Sequence, residues 1–363
     1  MTIAAFTLYP YRIAFRVPFN TSRGMQRHRR GVIVAIRLDD GTPGYGEAVA
    51  LPSFGTANDD EIVHRLEEFT PSLRGESIGQ ARAILGQELS DSRESPVRFA
   101  LDTALLDAES RRAGVSLARH LTPAPATSVP VNATISQSNA EAAEKAASYA
   151  VLAGYPAIKM KVGMTDDGEA EAERVRAVRR EIGPDTELRL DVNGSWQLEQ
   201  AVAVAGRLEE FDIAYLEQPL PQTELEATAE LRRRISIPIA VDEDVTDRRA
   251  VEQVVSHGAA DVIILKPAIV GGLTVARDLV ALAEENDIRV VVTTALEAGV
   301  GITAALHLAA TLKPPLPACG LATGALLEHD LLVQSPVFID GRMQVPDGPG
   351  LGVELMESVL SVK

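Results

Sequence analysis

Over the first 60 residues apolar and polar positions alternate with a period of two. The runs "IAAFTLYPYRIAF", "GVIVAIRLDD" and "YGEAVAL" read as strands of an antiparallel meander, with a Gly-Thr-Pro-Gly turn between the second and third. Between the first two strands, "NTSRGMQRHRRG" reads as a loop. From roughly Asp60 to Leu121 the period becomes helical, most regularly in "VRFALDTALLDAESRRAG". "TPAPATSVP" then reads as a linker. From Val129 short β-rich runs alternate with amphipathic helical segments: "VPVNATI", "AIKMKV", "ELRLDVN", "IAYLEQP", "PIAVDED", "DVIILKP", "RVVVTTA" and a weaker "LPACGLA".

Eight such units predict an α/β fold, a (β/α)8-type (TIM-like) barrel. No strand is followed by the GxGxxG turn expected of a dinucleotide-binding open sheet. The closing "FIDGRMQVPDGPGLGVEL" reads as a hairpin that returns to the first domain. The expected organisation is an α+β capping domain over 1–125, a barrel carrying the active site over 126–325, and a C-terminal segment over 326–363 that completes the cap.

The stretch "AIKMKV" places Lys159 and Lys161 on one side of a strand, with no acid within four residues to neutralise them. Their partners lie on the following strands. Five consecutive strands end in a charged residue, Lys161, Asp191, Glu217, Asp242 and Lys266, at separations of 30, 26, 25 and 24 residues. A barrel gathers the C-terminal ends of its strands at one mouth. A single polar strand end means only that the strand is leaving the core, but five in register point to a site.

Three neighbouring carboxylates repel one another without a cation, and their hard oxygens suit Mg²⁺, with Mn²⁺ as a substitute. Cys and His are missing from these strand ends, which speaks against zinc. A divalent cation on a substrate carboxylate eases loss of the adjacent proton. The removing lysine must be neutral near pH 7, and neighbouring positive charge favours that form. Lys161 is therefore the candidate base, and Lys159 the residue that tunes it.

Composition narrows the partners. A formal charge of −16 with 4% aromatic residues argues against nucleic acid or an anionic membrane. The start lacks a basic signal-peptide region, and no run of 18 apolar residues occurs. One cysteine, Cys319, excludes an intramolecular disulfide. The expectation is a soluble, cytoplasmic enzyme acting on a small-molecule carboxylate, with homo-oligomerisation left open.

Taken together, "KMK", "DVNGSW", "EQP", "VDED" and "LKP" resemble the strand ends of the enolase superfamily, in which a base works beside Mg²⁺. The resemblance extends to "GYGEA" in the cap and to the C-terminal return. The Lys–Lys arrangement is that of the muconate-lactonizing subgroup. The mandelate-racemase subgroup would need a His near the end of strand seven, whereas His307 falls inside the next helix. "FNTSRG", "TTALEAGVGITAALHLAATL" and "CGLATGALL" look most like the o-succinylbenzoate synthase family, dehydratases of menaquinone biosynthesis. Dipeptide epimerases carry Asp-x-Asp where this chain has Leu321–Ala322–Thr323, and the usual Ser pair is here Thr293–Thr294.

The resemblance implies that Lys161 removes the proton α to the carboxylate and returns it to the departing hydroxide. Lys266 would steady the developing charge from the opposite face, and Asp191, Glu217 and Asp242 would hold Mg²⁺. Lys159, Asn193, Thr293, Thr294 and Leu321 would support the site or the substrate. The alternatives on the same site are an N-acylamino acid racemase, a dipeptide epimerase or a cycloisomerase. In the cap, Arg23, Arg27, Arg29 and Arg30 read as a solvated hairpin tip rather than as anion ligands. Glu297 reads as a polar anchor behind the mouth, and Cys319 as a core residue.

Overall fold

The structure is a computed structural model that describes residues 1–21, 24–163 and 168–360. The N-terminal layer is a three-stranded antiparallel sheet in the order β1 (Ile3–Thr21), β2 (Gly24–Leu38), β3 (Pro43–Ala48). Four helices follow: α1 (Asp59–Phe69), α2 (Ile78–Glu88), α3 (Ser95–Arg112) and α4 (Leu117–Leu121). Capping boxes start α1 and α2, pairing Asn58 with Glu61 and Ser77 with Gln80, so the orphan N–H groups of both helices are met locally.

The first hairpin is longer than the sequence pattern predicts. Pairing between β1 and β2 runs on to Thr21↔Gly24, so most of the expected loop is strand. Backbone hydrogen bonding carries this extension without apolar alternation, and the pattern therefore misses it. Arg29 departs from the expected solvated tip: it is buried, and its guanidinium donates to Ala50 O and Ala295 O, each at 2.9 Å. Arg23 lies outside the described residues.

Seven parallel strands form the second layer as a curled sheet: β5 (Asn132–Ile135), β6 (Ala157–Lys161), β7 (Glu187–Asp191), β8 (Ile213–Glu217), β9 (Ile239–Val241), β10 (Val262–Leu265) and β11 (Arg289–Val292), in sequential order. The strand before them, β4 (Ser128–Pro130), joins a different sheet. The crossovers run through α5 (Ala140–Leu152), α6 (Gly168–Ile182), α7 (Leu198–Leu208), α8 (Leu225–Arg234), α9 (Arg248–His257), then α10 (Pro267–Val270) with α11 (Leu273–Glu285), and α12 (Gly299–Ala309) follows β11.

The predicted eighth strand is only a pair of bridges. Cys319 pairs with Val131 and Gly320 with Thr293, both parallel, so this two-residue segment joins the two edges of the sheet. Cys319 is buried, as expected.

The C-terminal segment touches both layers. Its strands β12 (Phe338–Ile339) and β13 (Arg342–Gln344) add to β4, while Leu117 donates to Gly350 O in the cap at 2.6 Å. Buried His307 on α12 ties these parts together. Its Nδ1 accepts from the Ala118 N–H at 3.1 Å, and its Nε2 meets Leu351 O at 3.0 Å, which assigns the proton to Nε2.

Burial lowers the His307 pKa to about 4, with the Leu351 bond opposing the shift only in part. An unfolded histidine titrates near ~6.5. Between these values the unfolded chain binds a proton that the folded chain refuses. The stability is complete above ~6.5 and falls by about 3 kcal/mol as pH drops towards the folded value. Denaturant titrations of wild type and His307→Gln at pH 7 and pH 4 check this. The variant should be less stable at pH 7 yet show a flatter pH dependence, and equal slopes would contradict it.

Candidate active site

The charged strand ends meet at the mouth of the curled sheet. Register aligns them directly: Lys161 lies opposite Asp191, and Asp191 opposite Glu217. Lys159 Nζ lies 2.8 Å from Asp191 Oδ2 and 2.7 Å from Glu217 Oε1, bridging the two acids. Lys161 Nζ donates to Asp191 Oδ2 at 2.7 Å and to Asn193 Oδ1 at 2.5 Å. Lys266 pairs with Asp242 on the far side. The five predicted residues thus converge, and Lys159 and Asn193 join them.

Backbone strain helps to aim the groups that follow. Asn193 and Gln218 each come just after a charged strand end and adopt φ of +49° and +39°, a region costly for glutamine. Gln218 Oε1 accepts the N–H groups of Asp242 and Glu243 at 2.9 and 3.1 Å, and its Nε2 donates to Asp244 Oδ2 at 2.7 Å. It therefore fixes the turn that carries Asp242. Asn193 Nδ2 donates to Glu243 Oε1 at 3.2 Å. Glu243 and Gln218 went unassigned in the sequence although both sit in quoted motifs, "VDED" and "EQP".

Four acids, Asp191, Glu217, Asp242 and Glu243, face three lysines. Burial raises Glu217 to about 8, the neighbouring Asp191 charge adds to the rise, and Lys159 only partly offsets it. Burial also works to raise Asp191, but Lys159 and then Lys161 outweigh it and hold that carboxyl below the usual range. Burial opposes the charge of Lys159, yet Asp191, Glu217 and Asp242 prevail and lift it well above an ordinary lysine. It is a fixed ammonium between two acids.

Among the described residues no three His, Cys, Asp or Glu side chains converge as a ready-made metal cluster, because lysines stand between the acids. The donor set nevertheless suits a hard divalent cation. Its atoms are all carboxylate oxygens, and the buried Glu217 Oε2 and Glu243 Oε2 have no hydrogen-bond partner among the described residues.

The cap contributes what the barrel pattern could not reveal. The segment after β3 lays the Phe54 ring against Lys266, with Nζ 4.3 Å from the centroid. On the β11 side, Thr294 Oγ1 and Thr323 Oγ1 share a hydrogen bond of 2.9 Å, while Thr293 Oγ1 is buried without a partner among the described residues. Leu321 lies fully buried in the apolar core. Glu47 in β3 accepts from Tyr11 OH and from the N–H groups of Ala298 and Gly301 at 2.7 and 2.8 Å, pinning the cap to the first turn of α12. Glu297 is buried, raised to about 7 by that burial and by the charge of Glu47, and accepts from Ala295 N at 2.6 Å.

This arrangement of cap, curled sheet and charged mouth has counterparts. The chain is 32% identical to muconate cycloisomerase 1 of Rhodococcus opacus over 89% of its own length and 88% of the relative's. It is 42% identical to an o-succinylbenzoate synthase of Thermobifida fusca over 61% of its own length and 68% of the relative's. It superposes on a dipeptide epimerase of Cytophaga hutchinsonii, solved with Mg and the dipeptide D-Ala-L-Val, at a TM-score of 0.91 and 27% identity, covering 99% of this chain and 98% of the other. Residues 3–121 match the family described as "Mandelate racemase / muconate lactonizing enzyme, N-terminal domain" and residues 141–359 the one described as "Enolase C-terminal domain-like". On the strength of both matches and the whole-length relatives, this chain belongs to the enolase superfamily.

Proposed function

We propose that this protein is a Mg²⁺-dependent dehydratase that forms o-succinylbenzoate by syn elimination of water, a step of menaquinone biosynthesis, on a (β/α)8-type barrel. Asp191, Glu217 and Asp242 are the residues that would hold the cation. When bound there, Mg²⁺ would take the substrate carboxylate and offset the second negative charge that builds on it. Lys161 removes the α-proton and gives it to the departing hydroxide. Lys266 sits beyond Asp242 with its ammonium over Phe54 and supplies positive charge from the opposite face. Lys159 stays charged and bridges Asp191 and Glu217, offsetting their mutual repulsion, and Asn193 orients Lys161.

The observation that carries the substrate choice lies at residues 321–323. Leu321 is in the core and Thr323 bonds Thr294, so this segment offers no carboxylate pair to grip an α-ammonium group. The higher identity to the synthase points the same way. An epimerase or racemase reading, with Lys161 and Lys266 serving opposite faces, is favoured by the whole-length superposition on the epimerase.

Ultraviolet monitoring of the cyclohexadiene hydroxy-acid precursor tests the proposal. Turnover should vanish after chelation and return with Mg²⁺ or Mn²⁺. Full activity in metal-free protein would remove the cation from the mechanism, and no turnover with metal present would remove the substrate.

A further inference from the structure

Glu171 and Arg174 lie one helical turn apart on α6, among Ala172, Val175, Val178 and Ile182. All of these are buried, and the apolar ones pack with Ile158 and Met160 of β6. A charged pair therefore sits in the helix face turned towards the sheet. The two side chains pair directly with each other. Burying an ion pair gains little stability over apolar side chains of the same volume. What this pair adds is a grip on the main chain of the mouth. Arg174 Nη2 donates to Lys161 O at 3.1 Å and to Gln137 O, just past β5, at 2.6 Å. Glu171 Oε2 accepts from Gly163 N at 2.6 Å.

The grip falls on a carbonyl that the sheet itself does not hold. Asp191 O, Glu217 O and Asp242 O accept the N–H groups of Val162, Val192 and Val245. Lys266 O accepts those of Ile269 and Val270 as α10 begins. Lys161 O instead accepts from the Arg174 side chain. On the other side of this turn there is no slack. Gly163 has a φ of +75°, and a Cβ there would meet Ser195 Oγ at 2.3 Å.

The Lys161 side chain is 28% exposed, against 16% for Lys159 and 10% for Lys266. Packing restrains it least of the three, so its aim depends most on where its backbone is fixed. A misplacement of about 1 Å in a reacting group can cost on the order of 10²-fold in rate.

We propose that Glu171 and Arg174 are positioning residues for Lys161, fixing the end of β6 so that its ammonium nitrogen meets the α-carbon. The inference rests on the reading of Lys161 as the base, and it holds for elimination and for racemisation alike. Arg174 supplies the fork that spans two carbonyls, and Glu171 holds both that fork and the turn after Lys161.

Two variants test it. Arg174→Lys keeps a cation for Glu171 but loses the planar fork. Glu171→Leu/Arg174→Met removes the grip and leaves no buried charge unpaired. Turnover of the cyclohexadiene precursor is measured per folded chain, with the folded fraction read from circular dichroism. In both variants kcat should fall at least tenfold while KM changes less than threefold. The isotope effect on kcat with substrate deuterated at the α-carbon should be at least that of the wild type, because proton transfer has become the slow step. Unchanged kcat per folded chain, or a lowered kcat with a diminished isotope effect, would overturn the proposal. If the wild type racemises N-acyl amino acids instead of dehydrating the precursor, α-exchange in D₂O decides. The variants should then slow exchange at least tenfold for the enantiomer served by Lys161 and leave the one served by Lys266 unchanged. Equal slowing of both enantiomers would reduce the pair to a general structural role.

Discussion

Lys161→Ala is expected to lower turnover of the cyclohexadiene substrate by about 10² to 10⁴-fold, the usual worth of a positioned base. Lys161 is placed for this: its ammonium touches Asp191 and Asn193 at the rim, where a carboxylate bound beside Asp191 would bring its α-carbon. In an elimination that uses one residue as base and then acid, no other group replaces it. Lys266→Ala should cost a similar factor for a different reason, the loss of positive charge facing the developing anion. The two variants separate only in D₂O. A dehydratase with no useful racemase activity leaves N-acyl amino acids unexchanged at the α-carbon, whereas a racemase exchanges both enantiomers and assigns one lysine to each. Rapid exchange of both enantiomers, with no turnover of the cyclohexadiene, would replace the elimination by racemisation and leave the metal site untouched.

The second large effect is on the fold. Gly46→Ala is expected to destabilise the cap by about 3 kcal/mol or more, at the upper end of what overpacking costs. Gly44 and Gly46 stand on one face of β3, where α3 lies directly against the strand. A Cβ on Gly46 would meet Ala100 O at 1.9 Å, and one on Gly44 would meet Ala104 O at 2.1 Å. Both obstacles are carbonyls of a helix backbone, so no side chain can swing away and α3 must shift bodily. That shift would also disturb Glu47, the next residue, which holds the first turn of α12. Urea unfolding checks it. A loss below about 1 kcal/mol would mean that α3 rides over the added methyl without resistance.

The mouth was legible in the sequence because each of its charged residues ends a strand and recurs once per strand–helix unit, a regularity that survives without coordinates. Lys161, Asp191, Glu217, Asp242 and Lys266 need only the curled parallel sheet to bring them together. Phe54 and Glu47 have no such regularity: one reaches Lys266 from the cap and the other reaches α12, across sequence gaps that no period spans. Arg29 misleads for a related reason. Its neighbours Arg27, His28 and Arg30 are exposed, and only its pairing opposite Ile13 turns it inward. "LPACGLA" was rightly weak as a strand, since Cys319 and Gly320 supply its only two bridges among the described residues.

That short seam bears on how the chain folds. From β5 to β11 every strand pairs with its sequence neighbour, so each pairing closes only the modest loop of one crossover helix. Joining Cys319 to Val131 instead brings together residues about half the chain apart, for a handful of backbone hydrogen bonds. Its loop-closure entropy is far less well repaid at the moment it forms. Folding of this layer should therefore proceed by accretion along the chain, with the ring sealed last, after the lysines and carboxylates of β6 to β10 have already met.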